Sequence, residues 1–187
     1  MSSINDLVVA VIEVPLLSKE ECESIIDYAK HIGSRTGVVG EKGKEEGKFR
    51  KSTVKWINYG EENSNLFKKM NDISRKLNET IWKYNLDTEN NPIQFTEYKA
   101  PDGHYSWHID TAQGRASRRK LSICIQLSDP IDYEGGELLV QSTKLVTVNK
   151  TRGTAAIFPS TLAHIVNPVV SGNRYSLVAW LTGDPFR

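Results

Sequence analysis

From residue 93 onward, bulky apolar residues alternate with polar ones in short runs closed by Gly, Pro, Asn or Asp. The runs are Ile93–Lys99, Tyr105–Asp110, Lys120–Leu127, Glu137–Gln141, Leu145–Val148, Thr154–Phe158, Ala163–Val166 and Tyr175–Leu181. A two-residue period predicts strands. Short strands at this spacing argue for a sandwich or jelly roll and against a βαβ fold. The first half follows another rule. Residues 7–14 are β-branched and predict an opening strand. Ser18 followed by Glu21 reads as a capping box, with Cys22, Ile25, Ile26 and Ala29 at helical spacing as far as about His31. Ser52–Asn58 alternates enough for a short strand, and Leu66, Met70, Ile73, Leu77 and Ile81 mark one face of a helix over about Glu62–Tyr84.

Between these elements, Ser34–Lys51 mixes four glycines with Lys and Glu and has no period. A loop of that length in a compact domain is either a lid or binding loop, or a solvated insertion. The layout is therefore α+β within one domain spanning residues 1–187. Residues 1–92 supply helical support and a variable loop, and residues 93–187 form a motif-bearing β core.

Composition narrows the classes of function. At 187 residues the chain is long enough to bury a core without covalent staples. Its 24 basic and 23 acidic residues leave a net charge of +1, so no global field points to nucleic acid or a membrane surface. Cys22 and Cys124 are far apart and sit in apolar patterns, as reduced core thiols do. The stretch Leu7–Leu17 is broken by Glu13 and Pro15, is too short to span a bilayer, and lacks the marks of a signal peptide. A cytoplasmic protein is expected.

Candidate chemistry lies in Tyr105-Ser106-Trp107-His108-Ile109-Asp110. On a strand, the spacing of His108 and Asp110 puts an imidazole and a carboxylate on one face. His164, on a later predicted strand, completes a 2-His-1-carboxylate set, the donor arrangement that holds Fe(II) and leaves positions open. Ten residues on, Arg174 follows the turn-like Val170-Ser171-Gly172-Asn173. That turn is expected to bring Arg174 back beside the strand of His164. Arg174 and Ser176 share a face, and a guanidinium among apolar strand residues requires an anionic partner. Its fork suits the far carboxylate of a dicarboxylic co-substrate whose other end chelates the metal. The alternative is a structural salt bridge to a protein Asp or Glu. The neighbouring cluster Arg115, Arg118, Arg119 and Lys120 reads as solvated loop charge, and Glu134-Gly135-Gly136-Glu137 as a tight turn. Trp107 and Trp180 are expected in the core or pocket wall.

Taken together, Gly103 through Asp110, Arg119-Lys120-Leu121-Ser122, Tyr133 through Leu138, Phe158-Pro159-Ser160, His164 and Gly172-Asn173-Arg174-Tyr175 through Trp180 resemble the prolyl 4-hydroxylase-like 2-oxoglutarate/Fe(II) oxygenases, and within them the PKHD-type hydroxylases. The resemblance covers about residues 93–184. It implies a double-stranded β-helix with His108, Asp110 and His164 on iron and Arg174 on 2-oxoglutarate. It also implies a tyrosine contact to the co-substrate, which Tyr98 matches first and Tyr105 second, and Ser176 adds a hydroxyl. Fe(II), 2-oxoglutarate and O2 are the implied cofactors, with ascorbate as a reductant. The implied reaction hydroxylates an unactivated C–H bond and releases succinate and CO2. A proline-containing peptide or protein is the implied substrate, with a free amino acid or small molecule as the variant and nucleic acid not expected. The competing reading is a cupin-like module that binds a metal or small acid without turnover.

Overall fold

The computed structural model describes residues 11–33, 35–36 and 46–185. Its strands are all paired antiparallel and form two facing layers. The first layer runs in the order β1 (Ile12–Pro15), β11 (Thr154–Pro159), β7 (Arg119–Gln126), β12 (His164–Thr182), β5 (Ile93–Lys99), β4 (Thr53–Ile57) and β2 (Arg35–Thr36). In the second, β6 (Gly103–His108) pairs with β3 (Arg50–Lys51) and with β12. On its other side β12 meets β8 (Tyr133–Gly135) and β9 (Leu138–Gln141), and β9 pairs with β10 (Leu145–Thr147). This is the jelly-roll arrangement that the strand spacing predicts.

The expected turn at 170–173 is not a chain reversal. β12 runs unbroken from His164 to Thr182, so the two strands predicted at 163–166 and 175–181 are one. Residues 164–172 pair in the second layer and residues 173–182 in the first. The strand crosses the sandwich instead of folding back, with Gly172 at φ 72° where it changes layers. The residues read as a turn bend one strand instead of ending it.

Alternation along the first layer divides two environments. On β7, Leu121, Ile123 and Ile125 join a core with Leu177, Ala179 and Leu181 of β12 and with Cys22, Leu66, Phe67 and Met70. The last four come from helices α1 (Lys19–His31) and α3 (Ser64–Thr80), which cover that face. A fully buried aliphatic side chain contributes about 1.5–3 kcal/mol, so this seam anchors the layer. The opposite face carries Ser122, Cys124 and Gln126 of β7 and Ser176, Val178 and Trp180 of β12, all turned toward the space between the sheets.

The capping box is present: Ser18 Oγ accepts from the Glu21 backbone, and the Glu21 carboxylate accepts from that of Ser18. The second helix is shorter than predicted, because residues 61–63 form a 3-10 turn and residues 81–84 leave the helix. Within the predicted 34–51 loop, Arg35–Thr36 and Arg50–Lys51 are strands and α2 (Glu46–Phe49) is a single helical turn. Residues 7–10 and most of that loop lie outside the described residues. Gly135 and Gly136 have φ of 74° and 64°, as a Gly-Gly turn requires. Cys22 and Cys124 are both free and buried. No described helix is long and apolar enough to cross a membrane.

Candidate active site

Strand register assembles the site. His164 of β12 lies directly opposite His108 of β6, so the two imidazoles face each other with ring centroids 4.1 Å apart. Asp110, two residues past His108, points the same way, and the ligand atoms of all three lie within 4.8 Å of one another. Each imidazole Nδ1 faces a backbone carbonyl, Ser106 O at 2.8 Å for His108 and Leu162 O at 3.0 Å for His164. A carbonyl only accepts, so each Nδ1 carries a proton and each Nε2 is the atom turned toward the centre of the cluster. The two Nε2 atoms sit 3.7 and 3.5 Å from the two oxygens of Asp110. Burial, with the nearby His164, pushes the His108 pKa down to about 4, so this ring is neutral at physiological pH.

Three donor groups therefore converge on one point, and two imidazoles with one carboxylate fit Fe(II). Burial alone would raise the Asp110 pKa. The histidine rings and the Ser122 hydroxyl outweigh it and hold the carboxyl ionised. Ser122 Oγ donates to Asp110 Oδ2 at 2.6 Å and lies 2.9 Å from Ser160 Oγ. Having given its one proton to the carboxylate, Ser122 must accept from Ser160.

The triad opens on a cavity of about 250 Å³. At its inner end Arg174, 2% exposed, donates to Gln126 Oε1 at 2.9 Å and to Ser176 Oγ at 3.4 Å. Its Nε has no partner, and no carboxylate pairs with it among the described residues. The structural salt bridge considered from sequence is thus not there. Tyr98 lies opposite Arg174 in register, its ring 5.3 Å from the guanidinium carbon. Tyr105 is stacked on His108 at 3.5 Å, and burial pushes its phenol up to about 12. All seven residues singled out from sequence line or flank one cavity: His108, Asp110, His164, Arg174, Ser176, Tyr98 and Tyr105.

Sequence reasoning assigned no role in the site to Ser122, Ser160, Gln126, Arg50 or Arg119, although Arg50 resembles a residue on the family's approach to the active site. Ser122 and Gln126 alternate with aliphatic residues, a pattern that ordinarily marks a solvated face. Only the opposing sheet makes that face an interior. Arg119, read as solvated loop charge, lines the cavity with its guanidinium 3.6 Å over the Trp180 ring. Trp180 is pocket wall as expected, whereas Trp107 is 45% exposed on the outer face of β6.

Residues 93–182 match the 2OG-Fe(II) oxygenase superfamily. A PKHD-type hydroxylase of Prochlorococcus marinus (strain NATL2A) is 31% identical over 175 residues, covering 89% of this chain and 75% of that protein. Three other curated PKHD-type hydroxylases are 36% to 40% identical over shorter stretches, and the chain spans only 36% to 51% of their length. Among solved structures, a Pseudomonas putida prolyl-4-hydroxylase superposes with a TM-score of 0.76 at 21% identity, over 96% of this chain and 97% of that one. A prolyl hydroxylase from Trichoplax adhaerens, solved with a peptide fragment of the hypoxia inducible factor oxygen degradation domain, gives 0.72 at 18% identity, over 96% and 86%. At such identities the structural likeness is one of fold.

Proposed function

Because the chain belongs to the 2OG-Fe(II) oxygenase superfamily, alongside its PKHD-type hydroxylases, we propose that it hydroxylates an unactivated C–H bond of a proline-containing peptide or protein. Bound Fe(II), with 2-oxoglutarate and O2, supplies the oxidising power, and succinate and CO2 leave. In this reading His108, Asp110 and His164 hold the metal on one side and leave its cavity-facing positions open. Arg174 takes the far carboxylate of 2-oxoglutarate in its fork, Ser176 adds a hydroxyl, and Gln126 fixes the guanidinium plane. Tyr98 walls the co-substrate end, and Tyr105 keeps the His108 ring in place by stacking. Helices α1 and α3 support this β core as part of one catalytic unit, since their side chains complete its hydrophobic seam.

The observation that carries the proposal is Arg174: a buried cation with no carboxylate partner among the described residues, in the same cavity as three converging metal donors. A non-catalytic binding module would share the triad, but family membership favours turnover. The test is succinate release from 2-oxoglutarate by protein loaded anaerobically with Fe(II) and then exposed to O2, with and without prolyl peptides. Peptide-stimulated turnover that disappears in Arg174→Ala is expected. Failure of the protein to bind either Fe(II) or 2-oxoglutarate overturns the reading.

A further inference from the structure

Two more guanidiniums line the cavity, and among the described residues neither pairs with a carboxylate. Arg50 is 6% exposed, donates from Nε to Ser52 Oγ at 2.7 Å, and has a buried Nη2 with no partner. Its charged carbon lies 4.4 Å over the Tyr105 ring, which itself stacks on His108. Arg119 donates one N–H to the Asp110 backbone carbonyl at 3.2 Å and rests its face on Trp180. Stacking occupies the face of a guanidinium and leaves edge donors for a ligand. Arg50 thus reaches the triad through Tyr105, and Arg119 meets it directly at the Asp110 backbone.

The charge balance shows what is missing. Among the described residues Asp110 is the only carboxylate lining the cavity. Fe(II) and the 2-oxoglutarate dianion cancel, and Asp110 cancels Arg174. Arg50 and Arg119 then remain as two positive charges in a largely buried site, where unpaired charge is costly. A cavity of about 250 Å³ falls below the 300–1,000 Å³ or so typical of pockets for drug-sized ligands, so only the reacting group and its immediate neighbours enter beside the co-substrate. Resting on the oxygenase reading above, we propose that Arg50 and Arg119 clamp a carboxylate of the prime substrate next to the carbon to be hydroxylated. That carboxylate is either the α-carboxylate of a free or C-terminal proline or the side chain of an adjacent acidic residue. Neutral prolyl segments are then poor substrates.

The experiment is an anaerobic titration of the Fe(II)–2-oxoglutarate protein, read by the charge-transfer absorption of the chelate and its shift when a ligand enters. Three acid–amide pairs are compared: L-proline with prolinamide, acetyl-Gly-Pro with its C-terminal amide, and acetyl-Gly-Pro-Asp-amide with its Asn counterpart. At least one acid should bind about 10-fold or more tightly than its amide, as a desolvated charge pair requires. Which pair shows the preference identifies the source of the carboxylate. Arg50→Gln and Arg119→Gln should each reduce that ratio toward one by a larger factor than they change 2-oxoglutarate affinity. The chelate band itself reports that each variant is folded, and Arg119→Lys should retain part of the preference. Acids and amides binding alike, no acid shifting the band, or variants that weaken 2-oxoglutarate instead would each overturn the clamp. If the wild type forms no chelate band, the oxygenase reading fails and takes the clamp with it.

Discussion

Replacing Ser122 by Ala tests whether the metal site depends on residues that never touch the metal. The hydroxyl donates to Asp110 Oδ2 at 2.6 Å inside a site where Ser122 and Ser160 are fully buried. A hydrogen bond to an ionised group contributes about 1.5–3 kcal/mol. Its loss falls on the carboxylate that must stay ionised and oriented for the metal. Removing partners of this kind typically lowers metal affinity about 10- to 100-fold, or about 1.4–2.7 kcal/mol, which agrees with the hydrogen-bond figure. The substitution also strips Ser160 of its acceptor, whereas Ser160→Ala leaves Ser122 able to donate to Asp110. Ser122→Ala should therefore weaken Mn(II) or Co(II) binding to the apoprotein by 10-fold or more, measured by calorimetry, and Ser160→Ala by distinctly less. Thermal unfolding of the two apoproteins should shift by similar amounts, separating fold from ligand orientation. Metal affinity of Ser122→Ala within twofold of wild type, or a larger loss in Ser160→Ala, would refute the relay.

Arg174→Lys keeps the charge but loses the fork that engages Gln126 and Ser176. Its 2-oxoglutarate dissociation constant should rise about 10-fold or more with metal affinity unchanged, as checked by anaerobic titration of each. Gly172→Ala puts a side chain at φ 72° and a Cβ into the Asp132 carbonyl. Strain of about 1–3 kcal/mol plus that overlap should lower the thermal midpoint by several degrees. Burial raises the Cys22 and Cys124 thiols to about 11 and about 12, so at pH 8 neither is a thiolate in the folded protein. Iodoacetamide should label the native chain far more slowly than the urea-unfolded one. Ser18→Ala removes the cap of α1 and should cost about 0.5–2 kcal/mol in urea unfolding.

What was legible from sequence divides by the range of the signal. The strand period and the capping box are local, and each is where the local rule places it; His108 and Asp110 do converge, but β6 ends at His108 and Asp110 stands in the bend just after it, not on the strand. His164 and Arg174 were legible because their residue types have few other uses beside a predicted metal site. The supporting residues were not. Gln126 belongs to the site only because β7 pairs with β12 so that Gln126 faces Ser176, and Arg50 only because β3 pairs with β6 so that it faces Tyr105. Those registers are long-range facts carried by no spacing in the chain. The turn expected at 170–173 fails for the same reason. Gly172 permits either a reversal or a bend, and partners on both sheets select the bend.

That bend has a functional consequence. Because β12 crosses between the sheets without a break, one strand carries His164 in the second layer and Arg174, the proposed co-substrate cation, in the first. A reversal at 170–173 would have set His164 and Arg174 on neighbouring strands of one sheet, joined by a loop free to vary. An unbroken strand instead fixes their separation by backbone geometry, and each half is held on both flanks: His164 between His108 and Val140, Ser176 between Thr96 and Gln126. A co-substrate that chelates metal at one end and meets a guanidinium at the other needs that separation constant to a fraction of an ångström, since orientation errors on that scale already cost rate. The crossing strand is thus the gauge of the site. Its most sensitive point is Gly172, where the backbone passes the Asp132 carbonyl too closely for any side chain.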